Sequence, residues 1–238
     1  MNTNAQTARF AGLLYLIVII CGVFAEFFVR ASLIVPGDAT QTANQIMASE
    51  SLFRLGFVSD LVMMTAYLML AFTLYVLLKP IGKNLALLFL LFTLAGVAIM
   101  CLNMLNQFSA LLLLSGADYL NVYDANELNA QVLFFLNMHK YGYSIAQIFF
   151  GLWLFPLGYL VYQSGYLPKI LGVLLMVASI AHLIEFFIIF LFPTYTEAVS
   201  GVLDIPIIIG EFSFCLWLVI RGAKPQSAPL RLSFAGAI

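Results

Sequence analysis

His182 and Glu185 are the two side chains of this sequence whose types and spacing most plainly offer chemistry. Three residues apart, they share one face of a helix, and an imidazole beside a carboxylate can give two ligands to zinc or iron. A closed metal site needs three or four ligands, so His139, Asp60 and Glu211 would have to join them from other helices. The other reading is that His182 and Glu185 bond each other and the neighbouring helices. Glu211 is harder to read as scaffold. It lies inside an apolar stretch, where a carboxyl group either holds a proton or faces a partner or a water-filled cavity. Asn103, Asn106, Gln107, Ser144 and Gln147 fall at comparable depth and would line the same cavity. The candidate ligand-binding residues are therefore Glu211, Glu185, His182, Asp60, Gln147 and Asn103, with His182 and Glu185 as candidate metal ligands. Glu26 and Arg30 stand four apart with the acid first, the favourable order for a helical ion pair.

The elements that must position these groups are set by composition. The chain has 238 residues, 63% hydrophobic and only 9% charged, against about 25% charged in a soluble domain. Lipid is the solvent that such a surface fits. The formal net charge of −1 argues against a nucleic-acid partner, which demands a basic face. Cys21, Cys101 and Cys215 all fall in apolar stretches and read as small packing residues. The expected fold class is all-α: an integral membrane bundle of six transmembrane helices with short amphipathic helices in the outer loops. The spans are expected at about 10–29, 56–78, 85–107, 141–163, 168–192 and 204–220, each near the 20 or so residues that a bilayer requires. Residues 1–9 form a lead and 221–238 a tail, both cytoplasmic. In the first outer loop, Thr40 or Thr42 is available to cap a short helix. Residues 129–138 are amphipathic and would lie along the membrane surface. Asp204 would cap the sixth span ahead of Pro206, and Pro156 should kink the fourth.

Basic residues give the orientation. With the amino terminus inside, Arg9, Lys79, Lys83, Lys169, Arg221, Lys224 and Arg231 lie inside, against Arg30, Arg54 and Lys140 outside. That bias places both termini in the cytoplasm, in agreement with six spans. At about 1.5 Å per residue from these anchors, Glu26, Asp60, His182 and Glu185 fall in the outer half and Glu211 near the midplane. The inner half is nearly pure hydrocarbon. No Walker loop, Gly-x-Ser-x-Gly elbow, His-Glu-x-x-His or Cys-x-x-Cys occurs, and no cofactor is expected.

Four stretches carry a likeness: Arg9-Phe10-Ala11-Gly12-Leu13-Leu14-Tyr15-Leu16, Leu52-Phe53-Arg54-Leu55-Gly56, Leu74-Tyr75-Val76-Leu77-Leu78-Lys79-Pro80, and above all the unbroken run from Phe150 to Gly172. With them the chain resembles the bacterial polytopic membrane family known as domain of unknown function 4386, from Arg9 to about Ile220. The resemblance implies a small inner-membrane protein and brings no catalytic residue with it. The function expected first is binding or passing a small ligand, ion or lipid through an outward-facing polar cavity, as a transporter does. An intramembrane metal-dependent hydrolase is the alternative, and a scaffold or sensor subunit the third reading. Membrane lipid is the expected surrounding partner, with a small molecule or ion as ligand and no nucleic acid.

Overall fold

In hydrocarbon a backbone can satisfy its polar groups only within a helix or a closed barrel, and here every apolar stretch is helical. A computed structural model describes residues 3–224. Arg231, counted above as an inner basic residue, lies with the tail beyond Lys224 outside the described residues. Helix α1 (Thr3–Val23) runs on through π-helical turns at Phe24–Arg30 into a short α2 (Ala31–Leu33), and α3 (Ala39–Ala48) sits beyond the first span. The remaining spans are α4 (Glu50–Leu78), α5 (Lys83–Leu113), the broken pair α6 (Ala125–Leu152) and α7 (Leu154–Ser164), α8 (Lys169–Leu191) and α9 (Thr196–Ile220). Six helical stretches are long and apolar enough to cross a membrane, as the sequence leads one to expect.

Several boundaries differ from the expected ones, each for a local reason. Asp38, not Thr40 or Thr42, caps α3: its Oδ1 accepts the Gln41 N–H at 2.8 Å. The Thr42 hydroxyl is turned back, accepting the Val35 N–H at 3.0 Å. Residues 129–138 do not form a separate surface helix. They are outer turns of α6, which begins at a reciprocal cap: the Asp124 carboxylate takes the Glu127 N–H and the Glu127 carboxylate takes the Asp124 N–H, both at 2.9 Å. Helix α9 starts at Thr196 and carries Pro206 in its interior, so Asp204 is a mid-helix residue and not a cap. The fourth span breaks between α6 and α7 at Trp153, where Pro156 leaves the Leu152 carbonyl without its helical donor. Gly165, with φ of +67°, takes the left-handed conformation that ends α7 and turns the chain into α8.

The spans pack in chain order as a closed ring: α1 against α4, α4 against α5, α5 against α6, α6 and α7 against α8, α8 against α9, and α9 back against α1. Two glycines let α7 and α8 touch, since a Cβ on Gly172 would collide with the Gly158 carbonyl. At one end, here the near end, the Lys224 N–H donates to the Tyr166 carbonyl at 3.0 Å, and a Cβ on Gly222 would lie 3.0 Å from the Ala5 carbonyl. The near half of the interior is filled by Leu70, Leu74, Leu77, Leu157, Leu160, Leu175 and Leu218. Trp153 heads this plug, with its ring centroid 5.0 Å from that of Tyr67, and 6.3 Å from those of Tyr15 and Phe89. A second apolar cluster of Val29, Ile46, Phe53, Val132 and Leu136 closes the far end beneath α3.

Candidate functional site

Between plug and far-end lid the interior turns polar. The lower of two polar layers is one continuous hydrogen-bonded chain over four spans. Tyr15 on α1 donates its hydroxyl to Glu211 Oε2 on α9 at 2.5 Å. Glu211 Oε1 lies 3.2 Å from His182 Nε2 on α8. His182 Nδ1 lies 3.3 Å from Gln147 Nε2 on α6, and the same amide nitrogen donates to Glu185 Oε2 at 2.7 Å. In the tautomer whose Nδ1 accepts the Gln147 amide N–H, the Nε2–H donates to Glu211. Each Glu211 oxygen thus has one partner, Tyr15 on Oε2 and His182 on Oε1.

Three tight helix contacts bring this chain together. A Cβ on Gly151 would lie 2.8 Å from the Cβ of His182, and the Ser179 hydroxyl donates to the Gly151 carbonyl at 2.7 Å, so α8 closes on α6 one turn from Gln147. A Cβ on Gly210 would lie 2.8 Å from the Leu174 carbonyl, which seats Glu211 beside α8. At Gly12 the nearest atom is the Val219 nitrogen, 2.6 Å from where a Cβ would stand, and this draws α1 onto α9. Small residues at helix contacts are how membrane helices approach closely enough for polar side chains to reach one another.

The chain borders a cavity of about 150 Å³ at the centre of the ring, lined by Val18, Met63, Met64, Tyr67, Tyr143, Gln147, Phe150, His182 and Glu211. Five of the six spans contribute to its wall.

The upper layer belongs to the ends of α1 and α4. Arg30 is 8% exposed; its Nε donates to Glu26 Oε2 at 2.8 Å, and its Nη1 donates to Asp60 Oδ2. The pair expected from the spacing of Glu26 and Arg30 is thus present, with Asp60 as a second and fully buried partner. Asn103 lies against the α6 backbone at Gly142, where its amide donates to the His139 carbonyl at 2.8 Å. Tyr143 sits between the layers, within electrostatic reach of Arg30, Asp60 and Glu26 on one side and Glu211 on the other. The lower layer thus unites Glu211, His182, Gln147 and Glu185, while Asp60, Asn103 and His139 lie in the upper one. His182 and Glu185 are joined through Gln147, and among the described residues no group of three or more His, Cys, Asp or Glu is placed to hold a metal ion. Tyr15, Tyr67 and Tyr143 are site residues that sequence reasoning passed over. Only Tyr143 carries a signal, its spacing: it stands four residues from both His139 and Gln147, on the same face of α6.

A ring of six apolar helices around a buried polar chain is the architecture of a multi-pass membrane protein. The chain belongs to the family described as domain of unknown function (DUF4386), whose model matches residues 10–222. This is the family that the Phe150 to Gly172 run resembles. A relative named as an uncharacterized protein of Archaeoglobus fulgidus is 34% identical over 154 residues, covering 65% of this chain and 75% of the relative. No solved structure matches.

Proposed function

We propose that this protein binds a small cation or polar solute in the cavity between its spans and passes it across the membrane. The observation that supports this reading is the Tyr15–Glu211–His182–Gln147–Glu185 chain bordering a cavity of about 150 Å³. Two carboxyl groups in that chain are held by Tyr15, His182 and Gln147, with no Lys or Arg among its members. A carboxyl group within a membrane span is costly, and a positively charged ligand beside Glu211 would relieve that cost. Size narrows the choice. Pockets for drug-sized ligands run from about 300 Å³ upward, so a lipid tail is too large for this cavity while an ion or small solute is not. In this reading the protein lies in the inner membrane with the near end in the cytoplasm, since Arg9, Lys79, Lys83, Lys169, Arg221 and Lys224 all belong to that end.

The test is binding and flux with purified protein reconstituted in liposomes. A panel of monovalent cations and small polar solutes is measured by calorimetry and by uptake, with Glu211→Gln and Glu185→Gln beside the native protein. A ligand that binds the native protein and loses affinity in Glu211→Gln is the expected result. Affinity and flux unchanged in both variants would overturn the reading.

A further inference from the structure

Glu211 is only one wall of the cavity. The others are unusual for an inorganic cation, which asks for several oxygen ligands converging from all sides. Facing the cavity with Glu211 are the aromatic rings of Tyr67, Tyr143 and Phe150 and the thioethers of Met63 and Met64. Tyr67 and Phe150 pack ring to ring, with centroids 5.1 Å apart and planes inclined at 55°. Tyr67 is backed by Trp153 in a T-shaped contact at 5.0 Å, which holds it in place from behind. The wall is thus one carboxylate, with the Gln147 amide and the His182 imidazole beside it, and otherwise three aromatic residues, Val18 and two methionines with soft, polarisable sulfur.

Aromatic surface attracts a cation through the ring quadrupole, and does so most effectively when the cation is weakly hydrated and already stripped of water. An alkylated ammonium meets that condition. Its charge is spread over methyl or methylene groups, it needs no oxygen cage, and its apolar surface suits methionine and phenylalanine. We infer that the ligand class of this cavity is a small organic ammonium, a methylated or alkylated amine, held by Glu211 through its charge and by Tyr67, Tyr143 and Phe150 through their rings. This rests on the proposed function and deepens it by naming the ligand. Size agrees: a cavity of about 150 Å³ lies well below the roughly 300 Å³ at which drug-sized pockets begin, as a small ammonium requires. Glu211 stays bonded to Tyr15 and His182 at one edge, so the ammonium meets a carboxylate already oriented by the protein.

The experiment compares four probes on the full chain in detergent: tetramethylammonium, choline, 3,3-dimethyl-1-butanol and sodium. The alcohol is the uncharged carbon counterpart of choline and separates charge from shape. Tetramethylammonium and choline are expected to bind, with the alcohol weaker by at least about tenfold. Glu211→Gln reduces the preference for choline over the alcohol, leaving the share that the rings supply. Tyr67→Leu weakens choline by roughly threefold to thirtyfold, and Tyr67→Phe, which keeps the ring, does not. The probe comparison on native protein needs no variant, so a variant that fails to fold does not blunt it. Equal binding of choline and the alcohol overturns the inference, because charge would then play no part. Sodium binding without either ammonium overturns it too, but leaves the proposed function standing. Failure of every probe and of the wider solute panel overturns both.

Discussion

Arg30 is the residue whose surroundings differ most from what its position in the chain implies. Four residues from Glu26 it reads as the outer half of an interfacial pair, yet the π-helical turns at Phe24–Arg30 swing it inward onto Asp60. A π-helical stretch shifts the faces of every residue after it, and nothing in the residue types Phe24 to Arg30 announces one. Truncating Arg30 leaves the Asp60 carboxylate buried without its partner. Arg30→Met is expected to lower stability by about 3–5 kcal/mol, and Arg30→Met with Asp60→Leu to recover most of the loss. Thermal unfolding in detergent measures both, and equal losses in the single and double variants would show that the pairing is not the cause. The Tyr15–Glu211 bond is tested by a double-mutant cycle with Tyr15→Phe and Glu211→Gln. A coupling of about 1.5–3 kcal/mol is expected for a hydrogen bond to a charged acceptor, and additive effects would count against the bond. The acids and amides of the lower layer were legible from depth alone: Glu211, His182, Glu185 and Gln147 all fall in the middle or outer half of spans. Their grouping was not. It depends on which faces of four helices meet, and a helix whose outer face is suited to lipid is apolar on that side too, so it carries no amphipathic stripe to show its inner face.

Helix existence was written in apolar run lengths, and helix ends were not. Residues past the hydrocarbon edge stay helical wherever a cap and good helix formers allow it, as Asp124 and Glu127 do for α6. The kink was legible because Pro156 has a backbone consequence that no environment removes. Helix contacts at this scale turn on single hydrogens in place of side chains. Gly172→Leu would drive a side chain into the Gly158 carbonyl and Tyr162. A loss of at least about 1–3 kcal/mol follows, with α7 and α8 forced apart. Gly201, also helical, has open space where a Cβ would go, so Gly201→Ala should instead stabilise by about 1 kcal/mol through helix propensity. Unfolding midpoints of the two variants are expected to move in opposite directions. Similar losses in both would show that glycine flexibility, and not close packing, sets the effect.

At the scale of the whole molecule, the ring places the turns Lys79–Gly82 and Gly165–Pro168 at one end with both described chain ends, and α3 with the 114–124 loop at the other. A membrane-impermeant maleimide reads the orientation in a cysteine-free background. Tyr119→Cys should label in intact cells, and Lys83→Cys only after lysis; the reverse pattern would invert the topology. Closure of the ring in chain order has a consequence for synthesis. Tyr15 and Glu211 are 196 residues apart, on the first and sixth spans. While the chain is still emerging, Gln147, His182 and Glu185 can meet one another, but His182 and Tyr15 have no Glu211 to bond and the cavity lacks its α9 wall. The site therefore comes into being in a single late step, when α9 docks between α8 and α1.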